Sequence, residues 1–140
     1  MKNNVPRSPY DKTHGLVYFG RMLDKIRLHQ AGKLADDYIP NLGKFCDHWC
    51  VLFLGVDYDA LVGIVVAGAT DEEAWKWSLT HGHEPTEEQI KVWNAFMTKG
   101  GWRDGFTETL QRRLREGGFE DRTDIQTMFD YMDLDEGRKD

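Results

Sequence analysis

Serine is nearly absent from this 140-residue chain. Ser8 and Ser78 are the only two, neither lies in a nucleophile-elbow motif, and a serine-triad hydrolase is excluded. Cysteine is equally scarce. Cys46 and Cys50 stand four apart in an apolar run, where a disulfide would be strained, so they read as two reduced thiols acting as small hydrophobes. Glutamate is missing from residues 1–70 altogether. Long hydrophobic runs are missing too: the longest, residues 60–67, is broken by Gly63 and falls far short of a membrane span. The opening MKNNVPRSPYDK has no apolar core behind it and no small-residue cleavage pattern, so no secretory signal is expected. These absences read as a soluble, cytoplasmic protein. Alternating apolar–polar runs are lacking as well, which excludes an extended sheet. With no strand to precede a Gly-rich phosphate loop, nucleotide folds of that kind are excluded.

What is present points to helices. Hydrophobic residues make up 40% of the chain and aromatics 12%, enough for a conventional core in one domain of this length. The net charge of −6 argues against a nucleic-acid surface held by phosphate contacts. It is unevenly spread. Residues 1–70 hold 8 Lys+Arg against 7 Asp, a balance of +1, whereas residues 71–140 hold 10 against 17 acids, a balance of −7. The simplest reading is that the two halves neutralise each other across a shared interface.

The stretch from Leu16 to Gln30 organises the rest. Leu16, Phe19, Leu23, Ile26 and Gln30 recur at helical spacing, and the other side mixes Val17, Tyr18 and Leu28 with the cations Arg21 and Lys25. A helix apolar on most of its circumference is covered on most of it, so this one is expected at the centre of the domain. Thr13 is read as its cap and Gly32 as its left-handed terminator. Residues 36–40 form a connector that Pro40 keeps from ending as helix. Further helices are expected over 45–54, closed by Gly55, and over 58–67, capped by Asp57. Thr70-x-x-Glu73 and Thr86-x-x-Gln89 are capping boxes for two more. Phe106, Leu110 and Leu114 mark another. Thr123-x-x-Gln126 is read as the cap of the last, whose stripe is Ile125, Met128, Phe129 and Met132. The fold class is thus all-α: a compact single-domain bundle of six or seven short helices around the N-terminal one. Residues 1–11 form an extended arm, 12–135 the helical domain and 136–140 an acidic tail, with the chain after Asp133 expected to be frayed.

The opening PRSPYDKTHGLVYFGRMLDKIRLHQAGKL, with FLGVDYDAL, TDEEAWKW, WNAFMTKGGWRD and DRTDIQTMFDYMDLDEGR further on, resembles a family of small bacterial proteins known only as a domain of unknown function. The likeness runs from about Pro6 to Arg138. It implies a bacterial, cytoplasmic, single-domain protein and no particular activity.

Three constellations could carry chemistry. Arg7, Arg21, Asp24, Lys25 and Arg27 gather on or beside the central helix. A cation tucked against an apolar stripe needs a counter-charge, and Asp130, Asp133, Asp135 and Glu136 are at hand for an internal ion network. On the functional reading, Arg7, Arg21 and Arg27, with Trp75, bind a carboxylate or phosphate, while Lys25 beside Asp24 serves acid–base or carbonyl chemistry. Cys46, His48 and Cys50, with His81 and His83 further on and His14 and His29 elsewhere, offer metal-like side chains at the wrong spacing, so no metal site is assigned. Of the five tryptophans, Trp75 and Trp77 lie about 200° apart on one helix and cannot both face the same interior. No cofactor is implied.

Two functions survive. The preferred one binds, and on its sharper form transforms, a small anionic molecule in a helical pocket near Arg21 and Lys25. The other is a protein-interaction module that uses an exposed Trp and the acidic tail without catalysis. Nucleic acid and membrane are not expected partners, and a homodimer is left open.

Overall fold

The computed structural model describes residues 3–140. After an irregular segment come two short strands, β1 (Lys12–Thr13) and β2 (Leu16–Val17), then α1 (Phe19–Gln30). A 3₁₀ helix spans Asp36–Asn41. It is followed by α2 (Cys46–Leu54), α3 (Tyr58–Val66), α4 (Asp71–His81), α5 (Glu87–Lys99), α6 (Thr107–Glu116) and α7 (Met128–Asp135). The fold is a mostly helical single domain, and its only sheet among the described residues is the two-stranded one.

That hairpin corrects the first expectation. Residues 16 and 17 belong to β2, paired antiparallel to β1 with Thr13 opposite Leu16 and Lys12 opposite Val17. The two-residue turn between them, His14 at φ 51° and Gly15 at φ 83°, has both central residues left-handed, the form that matches strand twist. Thr13 is therefore a strand residue and not a cap. Tyr18, at φ 76°, turns the chain from β2 into α1. The edge of β2 is closed by α5: Asn94 accepts from the Val17 N–H at 3.0 Å, and the Trp93 indole donates to the Val17 carbonyl at 3.1 Å.

From there α1 runs through the middle, as its composition demands. Phe19, Met22 and Leu23 are fully buried, and Ile26, Arg21 and Lys25 nearly so. Leu54 and Leu61 of α2 and α3, Trp75 of α4, Trp93 and Met97 of α5 and Phe129 of α7 complete this core. A second, smaller core joins Leu110 and Leu114 of α6 to Ile125, Met128 and Leu134. Gly20 lets the N-terminal segment lie against α1, since a Cβ there would come within 2.6 Å of both Arg7 Nη1 and Thr13 Oγ1.

Most helix ends follow their sequence signals. Gly32 and Gly55 take positive φ just past α1 and α2. Asp57 accepts from the Ala60 N–H, and both capping boxes form. Three ends differ. Pro40 lies inside the 3₁₀ helix, whose i+3 bonding tolerates it near the end. The last helix starts at Met128 with Thr127, not Thr123, as cap; the Thr127 hydroxyl accepts from the Asp130 N–H at 3.2 Å. Residues 136–140 do not begin as a frayed tail, because Glu136 is 4% exposed. Of the expected arm, residues 1 and 2 lie outside the described residues; Asn3, Asn4 and Asp11 are exposed, whereas Pro6, Ser8 and Pro9 are buried, so the middle of the segment is packed.

Candidate functional site

The cations on and beside α1 fall into two clusters. On one side Arg7, the Arg27 guanidinium, Asp24 and Asp71 form a square. Arg7 donates to Asp24 from its backbone N–H, Nε and Nη2 at 2.9–3.0 Å, and reaches Asp71 at 2.8 Å. Arg27 reaches the same Asp71 at 2.8 Å and the Ala69 carbonyl at 3.1 Å. Desolvation would raise both carboxyls, but the hydrogen bonds from Arg7, joined by Arg27, outweigh it and hold Asp24 and Asp71 below the usual range.

On the other side Arg21 and Lys25 point inward. Arg21 makes a two-pronged pair with Glu136, at 2.8 and 2.7 Å, and donates to the Arg7 carbonyl at 3.1 Å. Glu136 also accepts from Tyr38 and Arg138. Burial pushes the Glu136 carboxyl up, yet Arg21 and these further donors leave it lowered overall. Lys25 donates to both oxygens of Asp47 at 3.1 Å and to the Tyr18 hydroxyl at 3.4 Å. Tyr18 in turn donates to Asp47 at 2.6 Å, and the Gly43 N–H adds a fourth contact. Asp47 is completely buried, and desolvation drives the Tyr18 phenol well above its ordinary range.

A cavity of about 330 Å³ opens over this inner cluster. Tyr18, Arg21 and Lys25 of the α1 side form one wall. Arg112, Arg113 and Glu116 of α6 form another, and Tyr131, Asp135 and Glu136 of α7 with the 3₁₀ helix complete it. Among the described residues, four cations and four carboxylates line it. Arg21 and Lys25 are matched as above, and Arg112 lies 3.8 Å from Glu116 at the exposed rim. Arg113 is half-buried, and among the described residues its side chain makes neither a hydrogen bond nor an ion pair. The Arg21 Nε, fully buried, is likewise without an acceptor among the described residues. Beside this cavity and sharing Arg112 and Arg113 lies an apolar slot of about 100 Å³ between Trp49, Phe96 and Phe106.

Arg21 and Lys25 are thus brought together at a cavity, as their four-residue spacing indicated. The other site residues read from the sequence lie elsewhere. Asp24 faces Arg7 and Arg27 rather than Lys25, and Arg7 and Arg27 belong to the outer square. Trp75 is buried in the core, stacked 5.4 Å from His14 and edge-on to Phe19. Of the acids proposed as counter-charges, Glu136 takes that role for Arg21, while Asp133 pairs with Arg138. Asp47 and Asp71, which the sequence reading missed, complete the network. Asp47 carries a signal, being a lone acid in the apolar run FCDHWCVLFL. Arg113 carries a weaker one, lying one residue from Leu114 on the shoulder of the α6 stripe.

The thiol and imidazole set stays dispersed. Among the described residues no three His, Cys, Asp or Glu side chains converge as a metal site would require. Burial pushes the Cys46 thiol up to about 11 and the Cys50 thiol well above its ordinary range, so both remain protonated at neutral pH. His81 contacts the Trp77 carbonyl and stacks on its ring. Among the described residues no single helix is long and apolar enough to cross a membrane.

The fold and cavity define a small helical protein with a charged interior, built by two carboxylates brought to one helix. Residues 3–138 match the family described as a domain of unknown function (DUF5069), and the chain belongs to it. Among curated proteins no match is found.

Proposed function

We propose that the protein binds a small molecule carrying one carboxylate or phosphate in the cavity between α1, α6 and α7. Arg113 is the group that grips the anion, and Arg21 and Lys25 form the charged floor beneath it. The observation that carries this reading is the half-buried Arg113 guanidinium, which faces the cavity without a partner among the described residues. A partly desolvated cation gains most from a charge-assisted acceptor, and a planar guanidinium suits a two-oxygen one. The buried Arg21 Nε, in the α1 wall of the same cavity, is also without an acceptor among the described residues. Lys25 is not the grip, because its three N–H donors already meet Asp47 and Tyr18. Chemistry by Lys25 with Asp24 loses its support for the same geometric reason.

Small molecules released from the natively purified protein, identified by mass spectrometry, test the reading. An acid should accompany the wild type and the control Lys91→Gln, and fall about ten- to hundredfold in Arg113→Gln, the effect of one charged hydrogen bond. Equal retention by Arg113→Gln would overturn it. The interaction-module alternative draws on less. Trp77 stacks on His81 and Glu136 is turned inward, which leaves Trp102, 48% exposed beneath Arg103, as its anchor.

A further inference from the structure

We propose that the outward face of α5 is a contact between two copies of this chain, packed antiparallel about a twofold axis near Asn94. At about 100° per residue, Glu88, Val92, Ala95 and Lys99 fall within a roughly 60° arc, opposite the side on which Trp93 and Met97 enter the core. All four are exposed, Val92 at 69%. Phe96, 53% exposed, flanks this line on the side of α2. The two helices lie side by side: Trp49 packs 5.6 Å from Phe96, and Phe53 stacks 4.9 Å from Trp93. Two more large apolar residues are exposed nearby, Phe45 at 56% just before α2 and Leu52 at 68% within it. Three of the seven large hydrophobics exposed among the described residues therefore sit on these two neighbouring helices, and a fourth, Phe45, directly precedes α2. Such a concentration marks an interaction surface, whereas scattered ones mark nothing.

The charges select the occupant. Glu88 at one end of the stripe and Lys99 at the other make no ion pair among the described residues. Glu88 with Lys99, and Val92 with Phe96, are each centred within half a residue of position 94. A second copy laid antiparallel about that point sets Val92 on the partner's Phe96 and Glu88 against the partner's Lys99, twice over. That is the self-complementarity an isologous twofold contact requires. The parallel arrangement would oppose like charges at both ends. The apolar stripe supplies the affinity, and the two end pairs fix the register and the partner.

Sedimentation equilibrium of the full chain tests this with Glu88→Lys, Lys99→Glu, the double variant and Val92→Asp, all at exposed positions. The wild type should be a dimer. Each single reversal should weaken it about tenfold or more, because two contacts turn repulsive. The double variant should recover, and an equimolar mixture of the two singles should pair with each other. Val92→Asp should give a monomer with an unchanged circular-dichroism spectrum. A wild type that is monomeric throughout, as for a surface that takes a different protein, or a dimer that survives Val92→Asp, overturns the proposal. A dimer lost in Val92→Asp but without the reciprocal rescue overturns the antiparallel register.

Discussion

The two charged clusters on α1 use the same residue types and differ in their access to water. In the inner one, side-chain exposure is 4% and 1% for Arg21 and Glu136, and 7% and 0% for Lys25 and Asp47. In the outer one, Arg7, Asp24, Arg27 and Asp71 range from 24% to 34%. The inner pairs tie α1 to α2 and to the end of α7, and the outer square ties it to the N-terminal segment and to α4. Desolvation makes the inner pairs a modest net contribution when whole and a large loss when half-removed. The outer square keeps enough water for each of its pairs to be worth little singly and to respond to salt. The comparison teaches that a cation on a core helix is a structural commitment where its partner is dry, and that a free one beside a cavity is the exception that invites a ligand.

Lys25→Met should break the comparison hardest. It leaves Asp47 charged and buried, and should cost about 3–5 kcal/mol in chemical denaturation. Glu136→Gln should follow at about 3 kcal/mol, somewhat less because the amide retains hydrogen bonds to Arg21 and Tyr38. Acid should weaken both clusters. Asp24, Asp71 and Glu136 are all lowered on folding, so their contribution is fully present above the ordinary carboxylate range and is lost as pH falls through the depressed values. Melting temperature should therefore fall steeply on acidification from about pH 5, and Glu136→Gln should flatten that slope. Asp71→Asn should cost only about 1 kcal/mol, and the difference from wild type should shrink in about 1 M salt, where the Debye length is ~3 Å. Arg113→Gln should change stability by less than about 0.5 kcal/mol, because the guanidinium has no partner to lose.

The architecture was legible wherever a local signal stood alone. Thr70, Thr86, Asp57, Gly32 and Gly55 each punctuate the chain as their chemistry dictates, and the mixed circumference of 16–30 announced an enclosed segment. Two-residue strands have no periodicity to read, and His14-Gly15 is not the Asn-Gly that advertises such a turn, so the hairpin was hidden inside the helical spacing of Leu16. Thr123 and Thr127 compete as caps with similar patterns. The choice fell to tertiary packing, in which Ile125 joins Leu110 and Leu114 before α7 begins. At the site, Arg21, Lys25 and Glu136 could be named from spacing and charge alone. Asp47 and Asp71 could not be assigned to them, because ion pairing across 22 and 44 residues is set by helix packing. Arg113 stood out only once every other cation had found its carboxylate or the solvent. Arg138, read as part of a loose tail, bonds Asp133, Glu136 and the Pro6 carbonyl.

A double-mutant cycle on Lys25→Met and Asp47→Asn, followed by urea denaturation, tests most directly whether the interior charges of α1 are matched to each other. If they are, each single change is severely destabilising and the double variant recovers about 2–3 kcal/mol relative to their sum, since Met beside Asn leaves no buried charge. Strictly additive losses would contradict it, and would return Lys25 to the cavity as a free cation.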